Sequence, residues 1–124
     1  MDKMLFSGIG GFIGSVLRYW ISVVAYRFFG QDFPYGTLFV NVSGCLLIGF
    51  VMTLFEERFV FSSNLRIFLT IGILGGFTTF SSFSYETIAL LREGSYFLGT
   101  VNVLLTVFLC LVATAIGGIA GKLL

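Results

Sequence analysis

The chain has 124 residues with seven lysines and arginines against six acidic residues, and it is 57% hydrophobic but only 10% charged, with a mean hydropathy of +1.04. That leaves too little polar surface for a soluble monomeric domain, and a net charge of +1 gives no basic field for nucleic acid. With no histidine and two cysteines, a zinc site has no ligand set to draw on.

Residues 4–29 read as a first membrane-spanning helix. Lys3 ahead of an apolar stretch has the outline of a secretion signal. Arg18, however, interrupts the run, hydrophobicity resumes through 20–29 and no Ala-x-Ala site follows, so a retained span is expected. Ser7, Gly11 and Ser15 recur every four residues, with Gly10 and Gly14 on an adjoining row; such rows let helices approach closely in lipid. Arg18 lies mid-span, where insertion scales put a charge at about 3 kcal/mol, so it either snorkels to an interface or finds a partner, for which Glu86 is the candidate.

Residues 30–34 contain the only proline and form a short connection. A second span, 36–55, is uncharged from 37 to 55, long enough to cross a hydrocarbon core. It carries Asn41, whose carboxamide in lipid needs a hydrogen bond. Asn41 is either glue between helices or a donor aimed at an anion, since an amide binds anions without fixed charge. Residues 56–63 carry three charges and close the span.

A third span, 64–92, is expected to break near 75–79. The run GGFTTFSSFSYE at 75–86 is too rich in glycine and hydroxyls for a lipid-facing helix. Bent backbone at membrane depth is tolerated only where protein or a watery cavity surrounds it. Phe80 and Phe83 share a helix face among Thr78, Thr79, Ser81, Ser82 and Ser84. Packing is the default role for any of the 16 phenylalanines, but ring edges are partly positive and suit a small anion in a dry passage. Arg92, Glu93 and Gly94 make a tight turn. The fourth span, 96–123, bears Thr106, Cys110 and Thr114 at four-residue intervals, with Asn102 one step earlier. That stripe is either a hydrated track or a set of hydroxyls bonded back to their own helix. Cys45 and Cys110 both fall inside spans and read as packing thiols.

These spans make one all-α integral membrane domain over 1–124, four helices with the third broken. Lys3, Arg58, Arg66 and Lys122 fall on one side against Arg27 and Arg92 on the other, a weak orientation bias. It permits insertion both ways as well as a single orientation with the termini inside. Four helices alone enclose little, so a homodimer is the natural way to build a pathway.

Three motifs in order closely resemble the Fluc family of fluoride channels, also called CrcB proteins: GGFIGSVLRY at 10–19, GTLFVNVSGCLLIG at 36–49 and GGFTTFSSFSYE at 75–86. The resemblance covers essentially the whole chain. It implies an antiparallel, dual-topology homodimer in a prokaryotic inner membrane with two narrow fluoride pores. Asn41 would donate to fluoride; Phe80 and Phe83 would supply ring edges; Ser81, Thr106, Cys110 and Thr114 would complete the pore. The backbone carbonyls of Gly75 and Thr78 would hold a structural sodium ion on the dimer axis, and Arg18 and Glu86 match charged family positions. Cys110 departs from the family pattern, where serine is more familiar.

The function implied is passive, fluoride-selective export that relieves fluoride toxicity. The alternative is a small dual-topology, proton-coupled transporter of cationic drugs, with Glu86 as its proton-exchanging carboxylate. A non-conducting assembly subunit is a third class. No nucleophile–base pair, metal cluster or phosphate loop supports an enzyme.

Overall fold

The computed structural model describes residues 1–58 and 61–124. Its elements are α1 (Asp2–Phe29), α2 (Tyr35–Glu57), α3 (Ser63–Ile67), a π-helical segment (Phe68–Leu74), α4 (Gly75–Phe77), α5 (Phe80–Arg92) and α6 (Tyr96–Leu123). Among the described residues, four stretches are long and apolar enough to cross a membrane: Asp2–Phe29, Tyr35–Glu57, Ser63–Arg92 and Tyr96–Leu123. At 1.5 Å per residue, the 28 residues of α1 reach about 42 Å, enough to span a hydrocarbon core of about 30 Å with some tilt.

Local chemistry sets the boundaries. Gly30 ends α1 at φ 83°, a backbone region that costs glycine nothing. Pro34 stands immediately before α2, where its missing N–H has no helical bond to lose. Ser62 caps α3 by accepting from the Leu65 N–H. After α5, Gly94 takes φ 84°, and the Ser95 N–H returns to the Leu90 carbonyl, closing the orphan end. The expected spans therefore stand, extended by one or two residues at the start of α1, α2 and α3 and at the end of α2.

The helices pair through glycine. Gly10 of α1 faces Phe68 and Gly72, Gly14 faces Ile73 and Phe77, and Gly76 lies against Gly11, so α1 runs parallel to the first half of the third span. Gly49 of α2 lies against Thr114 and Gly118, while Gly117 and Gly121 of α6 lie against Leu46, Phe50 and Thr53. These two helices are also parallel. Gly36 against Ser22 and Tyr26, and Gly44 against Phe77 and Thr78, set the two parallel pairs antiparallel to each other. Of the two rows of small residues read in helix 1, one is used whole and the other in part. Gly10 and Gly14 are buried and make the seam, Gly11 contributes from the adjoining row, and Ser15 is exposed.

Large apolar side chains point outward instead, among them Phe12, Trp20, Phe97 and Leu104. In water that would be a liability; in lipid it is the solvent-matched surface. One consequence is testable. A Cβ on Gly10 would sit 2.5 Å from the Phe68 carbonyl oxygen and 2.8 Å from the Gly72 Cα, both backbone atoms that cannot swing aside. Gly10→Val is expected to force α1 off the third span and sharply lower the folded, monodisperse yield in detergent, read by size-exclusion chromatography. A wild-type profile would contradict the seam.

The charged ends follow from the same topology. Lys3, Arg58, Arg66 and Lys122 collect at one end, where Arg58 donates to the Leu124 carbonyl and Arg66 donates to the Phe55 carbonyl at 2.9 Å. Arg66 also lies over the Phe55 ring, 5.2 Å from its centroid. Arg27 and Arg92 mark the opposite end.

Candidate functional site

The third span changes character in steps. Its α-helical start gives way to π-helical turns at Phe68–Leu74, a widening common at functional sites that the sequence reading did not anticipate. One α-helical turn follows, and then Thr78 (φ −81°, ψ 157°) and Thr79 (φ −151°, ψ 123°) run extended before α5 begins. The break is therefore two residues, at the C-terminal end of the 75–79 interval expected.

Extended backbone at this depth has to be paired internally, and Asn41 supplies the pairing. Its Nδ2 donates to the Thr79 carbonyl at 2.9 Å, and its Oδ1 accepts the Thr79 N–H at 2.8 Å. Asn41 is thus helix glue of a specific kind, a two-point clasp on the break. The Thr79 hydroxyl in turn accepts the Ser82 N–H at 3.2 Å and caps α5. A carboxamide nitrogen carries two hydrogens, and the clasp uses one.

Beside the clasp lies a cavity of about 540 Å³. Asn41, Phe80, Phe83, Thr106 and Cys110 line it, and so do Gly75 and Thr78. The structure brings these residues together from α2, α4, the break, α5 and α6. The Phe80 and Phe83 ring centroids are 5.4 Å apart at 54°; Phe83 is 8% exposed and Phe80 78%, so one ring is packed and the other stands at the rim. Ser81 is exposed and within 3.2 Å of the Thr79 hydroxyl, outside the cavity lining. Thr114 also lies outside it, its hydroxyl donating back to the Cys110 carbonyl at 2.9 Å.

Thr106 belongs to a buried chain that the sequence reading saw only as spacing. Its hydroxyl donates to Asn102 Oδ1 at 3.3 Å, Asn102 Nδ2 donates to the Thr87 hydroxyl at 2.8 Å, and Thr87 donates to the Phe83 carbonyl at 2.7 Å. Asn102 is 2% exposed. The chain ties α6 to α5 and anchors the backbone that carries Phe83. Asn102→Leu removes the central link, and interhelical hydrogen bonds in membranes average about 0.6 kcal/mol each. Only the bond from Asn102 to Thr87 joins α6 to α5, so its loss should lower stability by about 0.6 kcal/mol, seen as a slightly lower thermal midpoint in detergent; an unchanged midpoint would mean the chain does not brace α5.

Glu86 meets Thr37, whose hydroxyl donates to Oε1 at 2.6 Å. Among the described residues, its Oε2 is buried without a hydrogen-bond partner. Arg18 is half-buried on α1 and does not reach this carboxylate, so the candidate pairing of the two charges is absent. Glu86 borders a second, polar cavity of about 570 Å³ with Asp32, Tyr85 and Glu93. Thr37 and Thr87 were missed as site residues; their signal was slight, a hydroxyl one helical turn before Asn41 and another directly after Glu86.

The break also redirects a backbone hydrogen bond. In an unbroken helix the Gly75 carbonyl would accept the Thr79 N–H, which here goes to Asn41. Gly75 and Thr78 both line the cavity, and uncharged backbone carbonyls suit a hard cation, which prefers oxygen ligands. Gly75 and Thr78 are accordingly suited to holding sodium, with further ligands required from elsewhere.

Four apolar spans, one interrupted and clasped at membrane depth beside a cavity, define a small multi-pass membrane protein. The chain belongs to the CrcB family: the family model described as CrcB-like protein, Camphor Resistance (CrcB), matches residues 5–118. Among similar proteins, one from Clostridium perfringens is 49% identical over 94% of both chains. One from Geotalea uraniireducens is 45% identical over the full length of both, and one from Geobacter sulfurreducens is 47% identical over 98% of both. Each of the three is named a fluoride-specific ion channel FluC.

Proposed function

We propose that this chain forms a fluoride-selective channel, with passive export of fluoride across a prokaryotic plasma membrane as its role. The observation that carries the reading is the spare N–H of Asn41, held rigidly by the Thr79 clasp in the same cavity as Phe80 and Phe83. Fluoride holds its water tightly, so a pore has to replace that water with well-placed donors. A fixed cation would trap the ion, whereas conduction needs release. An amide hydrogen, ring edges and the N-terminal end of α5, with its partial positive charge, suit that compromise. The names of the relatives point the same way.

The finer assembly is part of the proposal. Phe80 stands 78% exposed at the cavity rim, and a second copy of the chain would cover it, giving an antiparallel homodimer with two pores. The carbonyls of Gly75 and Thr78 from both copies would then hold one sodium ion, which fixes the two breaks against each other and offsets anion repulsion. Its role is structural.

Growth tests the physiological claim. Expressed in a bacterium lacking its own fluoride exporter, the chain should restore growth in fluoride concentrations that arrest the parent strain. No rescue despite membrane-inserted protein would contradict export.

A further inference from the structure

The two cysteines were read from sequence as separate packing residues, but the structure makes them a pair. Gly49 of α2 lies against Thr114 of α6, and the helices are parallel. Stepping back one turn on each therefore sets Cys45 opposite Cys110, and a second turn sets Asn41 opposite Thr106. Both cysteines are free thiols, only partly buried, and both line the cavity that holds Asn41, Phe80 and Phe83. They are the only cysteines in the chain, which also lacks histidine, so no other strong soft ligand competes with them. Two facing thiols on rigid helices suit soft, thiophilic centres that bind through two sulfurs.

We propose that Cys45 and Cys110 form a dithiol site for trivalent arsenicals, and that its occupation closes the cavity beside Asn41. With an organic arsenoxide the step balances without any redox change. Two sulfur–arsenic bonds form, and the arsenoxide oxygen departs as water with the two thiol protons. The organic group stays on arsenic and projects into the cavity. The closure rests on the channel reading above, whereas formation of the adduct does not.

The test uses phenylarsine oxide, which crosses membranes, on the full chain in liposomes. Intact-mass spectrometry should show one phenylarsine group replacing two thiol hydrogens in each chain. Fluoride efflux should fall to the leak of protein-free vesicles, with recovery on adding a small dithiol but not a monothiol. Cys45→Ala and Cys110→Ser should each abolish the adduct, and either variant alone decides the point if the other fails to fold. No adduct on the folded wild type, an adduct that persists in a single-cysteine variant, or a mass that bridges two chains would overturn the dithiol site. An adduct with unchanged efflux would overturn closure. Untreated protein that passes no fluoride contradicts the channel reading instead, and the mass measurement still decides the site.

Discussion

Replacing Phe83 by isoleucine should abolish fluoride flux while leaving the fold and the proposed dimer intact. The substitution keeps an apolar, bulky side chain at a position only 8% exposed, and it leaves the Phe83 carbonyl free to accept Thr87. What it removes is the aromatic edge, the one part of that side chain that attracts an anion. A barrier raised by about 3 kcal/mol slows passage by more than a hundredfold, which brings flux down to leak. Phe80→Ile should act alike, since the two rings lie 5.4 Å apart and line the same cavity. Efflux measured alongside size-exclusion elution separates lost conduction from lost assembly. Wild-type flux in both variants would end the assignment of the rings to the pore.

Asn41 should be the more severe position, because the proposed ion contact falls on the residue that also clasps the break. Asn41→Leu leaves the Thr79 N–H and carbonyl unpaired at membrane depth, at a cost of about 1–3 kcal/mol per buried group. Both stability and flux are expected to fall. Asn41→Asp separates the two roles. Its carboxylate oxygen still accepts the Thr79 N–H, so the break stays half-clasped, but the donor hydrogens are gone and a negative charge faces the anion path. Folded protein with no fluoride efflux is the expected result. Efflux near the wild-type level from the aspartate variant would show that the amide hydrogens do not handle fluoride.

Much of this was legible in the residues themselves. Uncharged runs and sparse punctuation gave four spans, because lipid tolerates no exposed backbone and so spells out helices in composition. The break was legible for a similar reason: glycine and hydroxyl residues at 75–86 have no place in a lipid-facing helix. What stayed hidden depends on three-dimensional register. The π-helical turns at Phe68–Leu74 leave no compositional mark. Asn41 looked the same whether it clasped a backbone or faced an ion, and only its two bonds to Thr79 show one amide hydrogen committed and one spare. The fourth-span stripe looked uniform at four-residue spacing, yet Thr106 is held by Asn102, Cys110 faces the cavity and Thr114 bonds its own helix. Periodicity tells which residues share a face; it does not tell what that face meets.

The central claim is selective fluoride conduction, and ion efflux from liposomes tests it most directly. Purified protein is reconstituted in vesicles loaded with potassium fluoride or potassium chloride, and efflux is followed with ion-specific electrodes after valinomycin lets potassium leave. Rapid fluoride efflux with chloride held at the leak of empty vesicles is the predicted result. Equal efflux of both anions, or of neither from folded protein, would contradict it.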